Sequence, residues 1–284
     1  MSTRTSLQDR TVSTGGMYVR RGGNPDGPVL VLLHGALANG DVWHGVERIL
    51  EERWSGGWIV PDLPGHGRSP RLSRYSHGRL AAQVADAVLE TAPRGVPVHV
   101  LGHSLGGAVA LTLATGWFGL KVSTVCAIGV KPAWSDHEKM VVAAVAGAPA
   151  KVFASRDEAV RHVLTVAAMD DVVDPDSALC DSLVIGDGNQ WEAVADPAVL
   201  SVGAPDLRGL MASCRAQEIA LVAGERDPLC PPAELVRLYP EATVLAGAGH
   251  CPHLQNPEFV WPLLDHLLLS ALHHSPSAQT LSHS

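Results

Sequence analysis

The segment Gly102-His103-Ser104-Leu105-Gly106-Gly107 has the residue types and spacing of a nucleophilic serine on a tight turn. It follows the apolar run at 98–101 and opens an Ala/Leu-rich stretch of helical composition. On a sharp strand-to-helix turn, glycines two residues before and after the serine relieve crowding, and Oγ projects above a sheet. The Gly-x-Ser-x-Gly pattern is weak alone because both residue types are common; the strand before it and the helix after it make it specific.

A serine hydroxyl needs a base within hydrogen-bond reach. Of the fourteen histidines, His250 lies just after the apolar run at 243–245, where a late loop can return to the serine. His253 is its nearest rival, and His103 should point away from Ser104 if the turn is sharp. A carboxylate that holds the imidazole should follow the run at 219–222, which leads into Ala223-Gly-Glu-Arg-Asp227-Pro228. Asp227 fits, with Glu225 as the alternative. An oxyanion needs backbone donors. Leu105 supplies one amide, and His34-Gly35-Ala36-Leu37, after the run at 29–33, supplies another: Ala36, with Leu37 second.

These residues require a framework that presents them on one edge. Short Val/Leu/Ile runs at 29–33, 58–60, 98–101, 122–128, 219–222 and 243–245 read as buried parallel strands. Segments of helical period lie between several of them. Leu80, Val84 and Val88 repeat every four residues before Pro93; Asn256 and Pro257 open a stripe of Val260, Leu263, Leu264, Leu267 and Leu268. The alternation predicts an α/β fold with a mostly parallel central sheet and helices on both faces. Between 131 and 213 no good strand is visible, but Ser155-Arg-Asp-Glu158 reads as a capping box. The expected division is a core of 1–130 and 214–272, a helical cap at 131–213 and a disordered tail at 273–284.

Composition narrows the function classes. The chain has 284 residues, 46% of them hydrophobic, enough to build a core. A net charge of -8 with no basic cluster argues against nucleic acid. No apolar stretch is long enough for a membrane span, residues 1–10 lack a signal-peptide core, and the five scattered cysteines suit a reducing compartment. A cytoplasmic enzyme with a small-molecule substrate, no metal and no cofactor is expected.

Taken together, Leu33-His34-Gly35, Asp62-Leu-Pro-Gly-His-Gly-Arg-Ser69, Gly102 to Gly107, Gly224-Glu-Arg-Asp227 and Gly249-His250-Cys-Pro-His-Leu-Gln-Asn-Pro257 closely resemble the α/β-hydrolase superfamily, in particular its cap-bearing serine esterase-like members. The resemblance implies that the Asp62–Ser69 loop is a structural element near the site, so His66 receives no catalytic role. It also implies that haloalkane dehalogenase and epoxide hydrolase chemistry, which use aspartate at the turn, do not apply. Carboxylesterase chemistry leads. Thioesterase, lactonase, perhydrolase, carbon–carbon bond hydrolase and, as a different class, a ligand-binding receptor share the scaffold.

The 131–213 segment carries thirteen acidic against six basic residues, almost the whole net charge of the chain. A negative lid disfavours anions and favours a neutral, partly apolar substrate. Trp134, Met140, Met169 and Trp191 are the expected apolar lining. A preference for anions would instead point to Arg156, Arg161 or Arg208 in the pocket.

Overall fold

The computed structural model describes residues 12–14 and 16–265. Its strands are β1 (Val12–Thr14), β2 (Met17–Gly23), β3 (Val29–Leu33), β4 (Gly57–Pro61), β5 (Val98–His103), β6 (Thr124–Ile128), β7 (Val184–Asp187), β8 (Gln190–Ala193), β9 (Glu218–Gly224) and β10 (Thr243–Leu245). Eight form one sheet in the order β1-β2-β4-β3-β5-β6-β9-β10, while β7 and β8 pair apart. From β4 to β10 every pairing is parallel; β2 runs antiparallel to both β1 and β4.

Alternation along β3 shows why the central runs are wholly apolar. Val29, Val31 and Leu33 join one core cluster with Leu80, Val84 and Val88 of α2 (His77–Thr91), whereas Leu30 and Leu32 join another with Leu50 near the end of the preceding helix, α1 (His44–Arg53). A strand covered on both faces has no polar side to show. The next helix, α3 (Leu105–Leu113), is buried at all nine positions, because it lies between the sheet and neighbouring helices.

The sheet order reverses beside β3, with β4 on one side and β5 on the other. Such a switch point leaves a crevice beyond the strands' carboxyl ends, where ligands bind in open α/β sheets. The loops after β3 and β5 carry Ala36 and Ser104.

Between β6 and β9 the chain leaves the sheet. It forms α4 (Asp136–Gly147), α5 (Arg156–Val166), α6 (Ala178–Leu183), the β7–β8 hairpin, a 3-10 turn at Pro197–Val202 and α7 (Leu207–Ser213). The expectation of helices without strands here is corrected by the hairpin. Its apolar residues (Val184, Ile185, Trp191, Ala193) are interleaved with Gly186, Asp187, Gln190 and Glu192, so no long apolar run marks it; only Gly188-Asn189 signals the turn. At Ser155 the side chain accepts from the Glu158 amide, but Glu158 returns its bond to the Ala154 amide. The reciprocal capping box stands at Ser135 and Glu138, opening α4.

After β9 come α8 (Pro232–Leu238), β10, α9 (Pro252–Gln255) and a turn at Pro257–Phe259 capped by Asn256. Val260 and Leu264 of the expected stripe are buried; Leu267, Leu268 and the expected tail lie outside the described residues. No helix among the described residues is long and apolar enough to cross a membrane.

Candidate active site

Ser104 occupies the residue between β5 and α3 with φ 51° and ψ -114°, a backbone conformation that side-chain-bearing residues rarely adopt. Its amide bonds the Ile128 carbonyl at 2.7 Å. A Cβ at Gly102 would stand 2.2 Å from the Gly106 carbonyl oxygen, and one at Gly106 would stand 2.3 Å from the Leu33 oxygen. The two glycines therefore let β5, α3 and β3 close around the serine. Gly35 serves the same end: a Cβ there would meet His103 Nδ1 at 2.8 Å.

His250 and Ser104 line one cavity. The imidazole Nδ1 stands 2.9 and 3.0 Å from the two oxygens of Asp227. A carboxylate only accepts, so Nδ1 carries the proton and Nε2 is left as the acceptor. Asp227 is itself held by the amides of Leu229 and Cys230, each 2.9 Å from Oδ1. His253 makes no bond to Asp227; its ring stacks on Trp43 at 4.4 Å, and burial pushes its pKa down to about 3. Glu225, the other acid considered, accepts instead from the Gly247 amide at 2.7 Å on the surface. His103 donates Nε2–H to the His250 carbonyl at 2.9 Å, and its ring meets that of His250 edge-on at 4.7 Å. Gly129, at φ 66°, lets the loop after β6 approach the His250 ring; a Cβ there would be 3.1 Å from Cε1.

Leu105 is the first residue of α3, so its amide has no acceptor within the helix. Ala36 lines the same cavity as Leu105. His34 fixes the Ala36 peptide. Its Nε2 accepts from the Leu63 amide at 2.8 Å, which leaves the proton on Nδ1 for the Gly35 carbonyl, also at 2.8 Å. That carbonyl and the Ala36 N–H belong to one planar peptide, so orienting one orients the other. Leu37, the alternative donor, has φ 64° and does not line the cavity. The Asp62–Ser69 loop braces this region from below: buried Asp62 accepts from the amides of Gly40 at 2.7 Å and Arg68 at 2.8 Å.

The cavity holds about 520 Å³. Trp134 and Met169 line it. Met140 and Trp191 do not, which corrects the expected lining. Met140 is 63% exposed on α4, while Val141 and Val145, one helical turn apart, face the cavity; residue size could not reveal which side of the helix turns inward. Trp191 sits in β8, where it pairs with Phe153 and donates Nε1–H to the Gly188 carbonyl. Arg156, Arg161 and Arg208 are likewise absent from the lining, and Arg156 is bound to Asp181.

The lining instead contains Lys131 and Glu138, neither singled out by the sequence. They pair with each other. Lys131, together with Ser135, holds the Glu138 carboxyl down to about 2. Lys131 follows β6 by three residues and Glu138 belongs to the Ser135 capping box, but the sequence does not bring the two into one pocket.

An array of this kind, with a strained serine, an imidazole whose proton is committed to a buried carboxylate, and two amides nearby, can activate a hydroxyl and hold a developing oxyanion. Residues 30–263 match the model of the alpha/beta hydrolase family. A pimeloyl-[acyl-carrier protein] methyl ester esterase of Aeromonas hydrophila is 28% identical over 85% of this chain and 96% of its own. One of Methylococcus capsulatus is 36% identical over 45% of this chain, and lipase LipV of Mycobacterium tuberculosis is 41% identical over 34%. The matched stretches span 48% and 36% of those two relatives, so the chain covers about half their length or less. Among solved structures, E-2-(acetamidomethylene)succinate hydrolase superposes with a TM-score of 0.74 at 23% identity, covering 92% of this chain and 98% of that one. With strand order, serine turn and family match in agreement, the chain belongs to the alpha/beta hydrolase family.

Proposed function

We propose that this chain is a serine carboxylesterase acting on small, neutral, partly apolar esters. The observation that supports this reading is that Ser104, the Asp227-bound His250, Ala36 and Leu105 all line one apolar cavity. Ser104 Oγ attacks the ester carbonyl while His250 Nε2 takes its proton. The imidazolium is stabilised by Asp227, and the tetrahedral oxyanion by the two amides. His250 then protonates the departing alcohol oxygen, leaving an acyl-serine. Water, deprotonated by the same imidazole, releases the acid and restores Ser104.

The pimeloyl-[acyl-carrier protein] methyl ester esterases supply the ester bond as the reaction class by their names. A cavity of about 520 Å³ suits a small-molecule substrate. Valines and Trp134 in the roof suit an apolar acyl or alcohol part. The test joins an alkyl fluorophosphonate with a panel of simple esters, thioesters and lactones. Stoichiometric labelling of Ser104 and turnover led by the neutral esters is expected. A protein that neither labels nor turns over any ester would overturn the reading; turnover confined to lactones or thioesters would reassign the substrate.

A further inference from the structure

Lys131 and Glu138 are the one lysine or arginine and the one aspartate or glutamate among the described residues that line the cavity. They come from different elements. Lys131 stands three residues beyond β6, on the loop whose Gly129 touches the His250 ring, and Glu138 belongs to the first turn of α4 in the roof. Lys131 Nζ bonds Glu138 Oε1. The second carboxylate oxygen accepts from the amide and hydroxyl of Ser135, both at 2.8 Å. The Lys131 ammonium also lies 5.5 Å above the Trp134 ring, and only 19% of its side chain is exposed.

We infer that Glu138 sets the charge selectivity of the cavity, by occupying from within the one ammonium that could receive a substrate carboxylate. This rests on the esterase reading and deepens it. An anionic substrate that reached Lys131 would have to share it with Glu138 or displace it, leaving two carboxylates side by side. A neutral substrate meets a lining whose fixed charges cancel. The selectivity therefore resides in a specific pair inside the pocket, apart from the acidic surface of the 131–213 segment. Glutamate and glutamine serve a capping box alike. Glu138→Gln thus keeps the start of α4 and the size of the side chain while leaving Lys131 without its counter-ion.

The experiment compares kcat/KM for methyl hexanoate and monomethyl adipate, which differ by a terminal carboxylate. Glu138→Gln should raise the adipate-to-hexanoate ratio about tenfold, the scale of one partly solvated hydrogen bond to a charged group. Adding Lys131→Met should return the ratio to the wild-type value or below. A ratio unchanged within twofold, or an equal loss on both esters, would overturn the inference, the second outcome marking Glu138 as a cap residue only. The esterase reading fails only where Ser104 does not label and no ester of the panel turns over; wild type inactive on both of these esters does not by itself fail it. The filter is then read from the dissociation constants of hexanamide and adipamate: Glu138→Gln should still shift their ratio toward adipamate, and no shift would overturn it.

Discussion

The floor of the cavity, where β3 and β5 end, and its roof, formed by α4, present similar small apolar side chains but are held by different means. In the floor every group near Ser104 is fixed by backbone contact: Gly102 and Gly106 admit no Cβ, His34 ties Gly35 to Leu63, and Asp62 spans the Gly40 and Arg68 amides. The roof helix buries none of its residues, and leaves Met140, Val141 and Val145 between 41% and 63% exposed. It stays in place through its cap, the Lys131 pair and packing along the turn at Pro197–Val202. On the proposed reading, chemistry that needs sub-ångström placement would sit on the rigid wall, and selection by size and charge would fall to the wall that can change at little cost.

Substitutions can test how sharp that division is. The largest effect should come from the floor: Ser104→Ala or His250→Ala should each lower kcat for a simple ester by about 10⁵–10⁶-fold with the fold retained by circular dichroism. Near-normal turnover in His250→Ala, with loss in His253→Ala, would move the base. Asp227→Asn should lower kcat by up to about 10⁴-fold, because the amide favours the wrong tautomer, while Glu225→Gln on the surface should leave it nearly unchanged. The reverse ranking would move the acid. Gly106→Ala should destabilise by about 3 kcal/mol or more in denaturant titration, since the new methyl meets backbone oxygen on two residues, Leu33 and His34. A neutral result there would show the floor to be as yielding as the roof.

Acid should also affect the floor first. Burial lowers His34 to about 4 and His66 and His253 to about 3, so the folded chain keeps them neutral while the unfolded chain protonates near 6.5. The unfolded state then binds more protons, and stability, complete above about pH 6.5, falls as pH drops toward 4. Each imidazole contributes a slope of up to about 1.4 kcal/mol per pH unit in that window. Unfolding free energies at pH 7 and pH 5 check this; equal values would mean that these rings are hydrated. The smallest effect should be Met140→Ser in the roof: within about 0.5 kcal/mol in stability, and within twofold in kcat/KM, because its side chain points to solvent.

Legibility in the sequence follows the same division. Val29–Leu33 is read to the residue, because two-sided burial demands an unbroken apolar run, whereas Thr243–Leu245, an edge strand with Thr243 and Val244 exposed, is read from its short β-branched and apolar composition alone. β2 escapes notice because Arg20 lies within it, buried with Glu47 and Asp41 as partners 2.8 and 2.7 Å away, so its pattern resembles a charged loop. The floor residues Ser104, Asp227 and His250 stand in motifs whose order along the chain reflects the sheet. The roof has no such motif. Val141 and Val145 differ from Met140 only in which way a helix turns, and the Lys131–Glu138 pair depends on a loop and a helix meeting at one cavity.

The strained turn at Ser104 sets function against stability at a single residue. Holding φ at 51° with ψ at -114° costs any side-chain-bearing residue on the order of 1–3 kcal/mol, a cost that glycine does not bear. Ser104→Gly should therefore unfold at a higher temperature than Ser104→Ala and, despite glycine's extra chain entropy, match or exceed the wild type. A library of this chain screened for thermostability alone would then enrich variants that have lost the hydroxyl, and any such screen needs an activity readout to keep the serine.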